Sequence, residues 1–225
     1  MNSRINTSLF TRAAVVSTTA IAAITLAACS SSGSASKTSP SSMSSGMSMS
    51  SGMSMSPSAA QAGAPATGPH NTADVTFATD MIPHHAQALE MAKMALTKAT
   101  NPQVKQLAQA IEGEQTPEIT AMSGWLKGWN KPVPDTSMGG MNMGGMSMPG
   151  MMSNADMAKL NAATGTAFDK LWLTQMIMHH QGAVTMANTE LGAGQNTDAK
   201  TLARSIIAGQ SKEITTMKAL LPTIK

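Results

Sequence analysis

The chain repeats itself at an offset of 95 residues: Met81-Ile82-Pro83-His84-His85 returns as Met176-Ile177-Met178-His179-His180. From Met81 to Leu126, 19 of 46 positions are identical to the residue 95 further on. The identities include Met91/Met186, Lys105/Lys200, Leu107/Leu202, Ile111/Ile206, Gln115/Gln210, Glu118/Glu213, Ile119/Ile214, Met122/Met217 and Leu126/Leu221. A unit that recurs at this density folds the same way twice, and the fold is what the two copies make by packing together.

Each copy reads as a helical hairpin. From Asn71 to about Ala99, apolar residues recur at helical spacing: Val75, Phe77, Met81, Ile82, Leu89, Met91, Ala92 and Leu96. Pro83 lies well inside and predicts a kink. A second helix runs from Pro102 to about Trp129, with Val104, Leu107, Ile111, Ile119, Met122 and Leu126 inward. Pro102 suits its first turn, Pro117 interrupts it, and Pro132 and Pro134 end it. Ser153 and Asp156 predict a capping box for a short lead-in helix that breaks near Gly165. The third long helix spans Phe168 to Leu191 and is stopped by Gly192 and Gly194. Thr197 or Asp198 caps a fourth, which runs to Leu221 before Pro222. Strand signals are missing. The expectation is an all-α protein, a four-helix bundle of two duplicated hairpins. In an up-down-up-down order, helices 1 and 3 begin at the same end. The His pairs then share a level about a pseudo-twofold axis, with Glu118, Met122, Glu213 and Met217 beside them. That end of the bundle also collects the connection at about 131–153.

The N-terminus sets where such a bundle sits. Arg4 and Arg12 precede an apolar run, Ala13 to Ala28, too short to span a bilayer comfortably. Leu26-Ala27-Ala28-Cys29 resembles a bacterial lipobox, which implies cleavage before Cys29 and a diacylglycerol on its sulfur. Residues 1–28 are therefore read as a lipoprotein signal peptide. Residues 29–69 are the lipidated cysteine and a disordered Ser/Gly/Met-rich tether, and 70–225 the bundle domain with a Met-rich loop at 136–153. A flexible tether of about 40 residues reaches roughly 35 Å, enough to clear the lipid head groups. The expected location is extracytoplasmic, at the outer face of the cell membrane or in the periplasm. Cys29 is the only cysteine, so no internal disulfide forms. The net charge of +3 is dispersed, Tyr is absent, and Phe and Trp number three each. That excludes a nucleic-acid surface, which needs clustered Lys/Arg and stacking aromatics.

Of five histidines, four lie in the duplicated unit. With His84 at 0° on a helical wheel, His85 falls at about 100°, Met81 at about 60° and Asp80 at about −40°. Met91 returns to within about 20° of His84. The second copy offers Met176, His179, His180 and Met186, with Gln175 in place of Asp80. Imidazole and thioether suit copper, and thioether favours Cu(I), with Cu(II) open to the imidazoles. His84, His85, His179, His180, Met81, Met176, Met91 and Met186 are the candidate metal residues. For Met91, Met186, Met122 and Met217, core packing competes with coordination. Asp80, Glu118 and Glu213 are candidates for orienting the histidines, with Met122 and Met217 near them. His70, alone, is given no role. A second, looser set is Met138, Met141, Met143, Met146, Met148, Met151 and Met152, separated mostly by Gly and Ser. Met43, Met47, Met49, Met53 and Met55 repeat the pattern in the tether. Methionine among Gly and Ser has no core to fill, and these spacings let two or three sulfurs reach one Cu(I) or Ag(I).

At these residues the chain resembles the ferritin-like "domain of unknown function 305" family over about 72–222. The resemblance is carried by Phe77-x-x-x-Met81-Ile82-Pro83-His84-His85 with Ala88, Met91 and Ala92. It is carried also by Gly165-x-x-Phe168-Asp169, by Met176-Ile177-x-His179-His180-Gln181-Gly182-Ala183 with Met186 and Ala187, and by Gln210-x-x-Glu213-Ile214-x-x-Met217. It implies a ferritin-like bundle in secreted or periplasmic proteins, some of which bind copper and contribute to copper resistance. It implies no enzymatic activity. The expectation is a copper buffer, scavenger or chaperone that is not an enzyme. Its partners would be the membrane, through the lipid anchor, and a copper-transfer protein, and copies could share sites as an oligomer. A non-metal envelope adaptor with structural histidines is the alternative. A di-iron oxidase needs Glu-x-x-His on two helices. Three residues after Glu90, Glu112, Glu114, Glu118, Glu190 and Glu213 stand Lys93, Gln115, Pro117, Ala121, Ala193 and Thr216.

Overall fold

A computed structural model describes residues 68–136 and 148–225. Residues 1–28, expected to be a signal peptide, Cys29, Met43, Met47, Met49, Met53 and Met55 of the expected tether, and Met138, Met141, Met143 and Met146 lie outside them. The described residues form helices without strands: α1 (Thr72–Lys98), α2 (Pro102–Gly128), α3 (Asn154–Ala162), α4 (Gly165–Ala193) and α5 (Thr197–Leu220), with a short 3-10 turn at Leu221–Thr223. Among these residues no helix is long and apolar enough to cross a membrane.

Asparagine punctuates the helices more than the sequence suggested. Asn71, Asn101 and Asn196 each cap a helix start by accepting from main-chain N–H groups two or three residues on. Asn196, not Thr197 or Asp198, therefore starts α5. Asn130 ends α2: at φ 55 it lets its own N–H reach Lys127 O and the Lys131 N–H reach Leu126 O, ahead of Pro132. Ser153 caps α3 as expected. The third long helix is longer than expected. It begins at Gly165 and passes through Gly192, because helical hydrogen bonding outweighs one glycine's cost of about 1 kcal/mol. Neither Pro83 nor Pro117 ends its helix.

The direction of the second hairpin corrects the expected topology. Asp74, at the start of α1, accepts from Gln195 N and Asn196 N in the α4–α5 turn, at 3.0 and 2.8 Å. Asp169, at the start of α4, accepts from Thr100 N and Asn101 N in the α1–α2 turn, at 3.1 and 2.9 Å. These two sets are the same contacts displaced by 95 residues. They place the start of each helix at the end of the other, so α1 and α4 run antiparallel. His70 stacking on Trp129, with centroids 4.6 Å apart, puts the end of α2 beside the start of α1. The order is thus up-down-down-up, and the segment after α2 crosses the length of the bundle, the single long connection of ferritin-like folds.

The core divides in two. One cluster gathers Phe77, Met81, Ile82, Met122, Trp125, Leu126, Ala183, Ala187, Leu202 and Ile206. The other gathers Met91, Ala92, Val104, Ile111, Phe168, Trp172, Leu173, Met176 and Met217. Between them, at mid-bundle, lies a buried polar layer that includes the four duplicated histidines, Gln87, Gln115, Gln210 and Glu213. The expected collection of ligands at one end of the bundle is therefore replaced by a layer across its middle.

Near the Asp74 cap lies a second buried carboxyl, Glu190, 1% exposed. It packs so closely on Gly194 that a Cβ there would overlap its Oε1. Neither Glu190 oxygen receives a hydrogen bond from an N–H or hydroxyl donor, and its partner is the Asp74 carboxyl. Burial first, then Asp74, pushes Glu190 up to about 8. Burial works against the Asp74 charge too, but hydrogen bonds from Asn71, Asn196, Glu190 and Gln195 outweigh it and hold Asp74 below its usual value. Glu190 is therefore protonated at neutral pH and donates to Asp74.

Two outcomes follow. Asp169→Ala leaves two main-chain donors of the α1–α2 turn without their acceptor and should cost about 2–3 kcal/mol in urea denaturation. Asp156→Ala, on the exposed start of α3, should leave the midpoint nearly unchanged. For Glu190, the folded chain keeps a proton that the unfolded chain releases near 4.5. Its contribution thus falls as pH rises from 4.5 towards 8 and stays lost above that. Glu190→Gln should match the wild type best at and below pH 4.5, exceed it increasingly towards pH 8 and by a constant amount above; a pH-independent difference would contradict the assignment.

Candidate metal centre

The antiparallel crossing of α1 and α4 brings the two histidine pairs together at the helix midpoints. The rings of His84 and His179 lie 3.8 Å apart between centroids, tilted by 38°. His85 and His180 diverge from them, at 6.5 and 6.4 Å from their neighbours. All four side chains are fully buried.

Their hydrogen bonds fix the protons. His85 Nε2 donates to Glu118 Oε2 at 2.7 Å, and His180 Nε2 donates to Glu213 Oε2 at the same distance. His84 Nε2 donates to Pro149 O at 3.1 Å. A carboxylate or a carbonyl only accepts, so in these three rings Nε2 carries a hydrogen. None of the three Nδ1 atoms has a partner, and neither ring nitrogen of His179 has one. A buried polar atom without a partner costs about 1–3 kcal/mol, so a cluster of them calls for a physical account, which a bound ion would supply.

Electrostatics keep the central pair neutral. Burial, then the charge of His85, lowers His84 to about 3. His179 is lowered well below its usual value by burial, then by His84 and His180. The His84 main chain lies near the His179 ring but makes no hydrogen bond of acceptable geometry, so it offsets little. Neutral imidazole is the form that binds a metal ion. Around the layer, Glu114 is raised by burial and then by Glu213 and Glu118, so three carboxyls share the α2–α5 side. Asp80 is half-buried, its pKa raised by burial, and hydrogen-bonds none of the four histidines. Its counterpart Gln175 reaches Asp156 O on α3.

The methionines fall on both sides of this layer. Met81 and Met122 belong to one apolar cluster, with Met186 packed against it; Met176, Met91 and Met217 belong to the other. Met81, Met91, Met122, Met176 and Met217 are fully buried, so packing accounts for their positions. Among the described residues, no three His, Cys, Asp or Glu side chains converge to hold a metal ion. The donor set that this structure offers is imidazole nitrogen with thioether sulfur nearby, a set that fits copper better than a hard cation.

The sequence reading missed what covers the centre. The stretch Pro149–Met152 lies over the His84–His179 crossing. Gln87 clips it twice, its Nε2 donating to Met152 O at 2.9 Å and its Oε1 accepting from Met152 N at 2.7 Å. Gly182 stands 95 residues after Gln87, and a Cβ there would overlap the Pro149 carbonyl. Gly150, at φ +78, would bring a Cβ within 2.7 Å of Met178 O. A glycine and an amide at equivalent positions were the available signal, but only the fold shows that one strap meets both.

A family model described as "Domain of unknown function (DUF305)" matches residues 74–221. Among solved structures, a DUF305 protein from Streptomyces coelicolor is 36% identical, with a TM-score of 0.60, over 67% of this chain and 91% of that one. A DUF305 fragment from Deinococcus radiodurans is 32% identical, with a TM-score of 0.59, over 71% and 99%. CopM in its Cu(II)-bound form is 37% identical, with a TM-score of 0.58, over 67% and 96%. Among curated proteins, none matches. The chain belongs to the DUF305 family.

Proposed function

We propose that this protein is an extracytoplasmic copper-binding protein, a buffer, scavenger or chaperone that serves copper tolerance and catalyses no reaction. A lipid on Cys29 holds it at the outer face of the membrane or in the periplasm, and the tether lets the bundle range above the lipid. Its methionine tracts capture Cu(I) and pass it to the buried centre, from which a partner protein collects it. The observation that carries this reading is the His84–His179 pair: neutral, buried, 3.8 Å apart, with three ring nitrogens lacking any partner. An ion held by these imidazoles completes its ligand set from thioethers, main-chain oxygen or water. Glu118 and Glu213 orient His85 and His180 as carboxylates orient metal-binding imidazoles elsewhere. Two relatives support the reading: CopM is described in Cu(I)-, Cu(II)- and Ag-bound forms, and the Streptomyces coelicolor protein is described as secreted.

One observation favours a structural role for the histidines, in a non-metal envelope adaptor. Three of the four already hold a hydrogen bond through Nε2, and each bond ties α1 or α4 to another segment. A titration separates the two readings. A chromogenic Cu(I) chelator competes with the form beginning after Cys29 and with a form beginning at Asn71. Copper binding at the centre predicts tight competition by both. It also predicts loss of the tightest site, with helicity retained, when His84, His85, His179 and His180 become Ala. No competition by either form would leave the structural reading standing.

A further inference from the structure

The strap over the histidines has an outer side, and that side carries sulfur. It borders an open depression of about 670 Å3 on the surface of α4, lined by Met151, Met152, Met178, Gln175, Gln181 and Asp156 among others. Met178 is 45% exposed, the one large apolar side chain so exposed among the described residues. A single exposed apolar residue is ordinary on a protein surface. Two further observations set this one apart. Met151, partly buried, lines the same depression from the strap. And the position equivalent to Met178 in the first hairpin is Pro83, which is buried, so the repeat does not impose a methionine there. The strap between these sulfurs and the centre is thin: Pro149, two residues before Met151, hands its carbonyl to His84 Nε2.

We propose that Met151 and Met178 form an outer thioether site for a soft monovalent cation, Cu(I) or Ag(I), stacked directly above His84 and His179. This rests on the copper-binding reading and adds a place to it: the point at which the ion meets the folded domain. Thioethers suit that point. They are neutral, release no proton on binding, and discriminate for soft ions over the hard cations that the nearby Asp156 and amide oxygens would attract. The two methionines lie on different segments, so a bound ion would also fasten the strap to α4, reinforcing the Gln87 clip.

The test uses the whole chain in detergent, with methionines carrying 13C methyl groups, titrated with Ag(I) as a redox-stable probe. Expected is a joint shift of the Met151 and Met178 methyl signals at the same equivalent of Ag(I). Met178→Leu conserves volume at an exposed position. It should abolish the Met151 shift and lower the bound silver by one ion per chain, while the histidine ring signals still respond. Met151→Leu should abolish the Met178 shift in the same way. A Met151 shift unchanged in Met178→Leu would overturn the site, as would ring signals that respond while neither methyl does. Silence from every methyl and every ring would sink the copper-binding reading itself, and the outer site with it.

Discussion

Two buried carboxylates set the register of this protein. Asp74 and Asp169, each near the start of a long helix, cap the turn of the opposite hairpin, each accepting two main-chain N–H groups there. Such charge-assisted bonds are among the stronger ones a fold can use. Made twice, at both ends of the α1–α4 contact, they leave little freedom to slide. A slip of one helical turn would move one helix about 5.4 Å along the other and separate His84 from His179. The caps lie at the ends of the α1–α4 contact, ten residues along the same helices from His84 and His179, yet they decide that the imidazoles meet.

What meets there is costly. Two apolar clusters would pack more favourably if they joined, and a layer of imidazoles, amides and carboxyls keeps them apart. The outward nitrogens of His85 and His180 are satisfied by Glu118 and Glu213. Their Nδ1 atoms have no partner. At about 1–3 kcal/mol for each buried polar atom without a partner, the layer consumes a sizeable part of a stability that for a domain of this size is on the order of 10 kcal/mol. An ion held there, as proposed, would return that energy by giving the ring nitrogens a partner, and its occupancy would then be coupled to stability. At the central pair protonation does not serve as the substitute, because burial holds His84 at about 3 and His179 well below its usual value.

Much of this was legible in the residues, and the failures have physical causes. Hairpins, helix spans and the pairing of Glu118 and Glu213 with the histidine level follow from helical periodicity and the 95-residue repeat, which are local properties. The direction of the second hairpin is not local: a connection of some two dozen residues can reach either end of a bundle. The signal that decides it was present, in Asp74 and Asp169 at the same offset as the histidines, but it speaks only once one asks what a carboxylate near a helix start caps in the other copy. Asn130 and Asn196 were passed over for nearby Pro and Thr, although Asn both tolerates positive φ and caps well. The methionines flanking the layer show the opposite limit. Spacing places Met81 and Met176 one turn from a histidine, and the same spacing is what a core position requires, so the pattern alone cannot separate a ligand from a packing residue.

The duplication also explains why the centre is not symmetric. Four imidazoles related by a pseudo-twofold axis would present equal faces, but only one connection crosses the bundle, and it can cover only one face. The chain accommodates it by breaking its own repeat at the crossing. Gln87 became the clip where the other copy has Gly182 to make room, and Pro83 stays buried where the other copy exposes Met178. The strap then distinguishes the central pair: it takes the Nε2–H of His84 and leaves His179 with both nitrogens unpartnered. A repeat supplies matched imidazoles at low evolutionary cost; the asymmetric connection gives them a covered side and an open one.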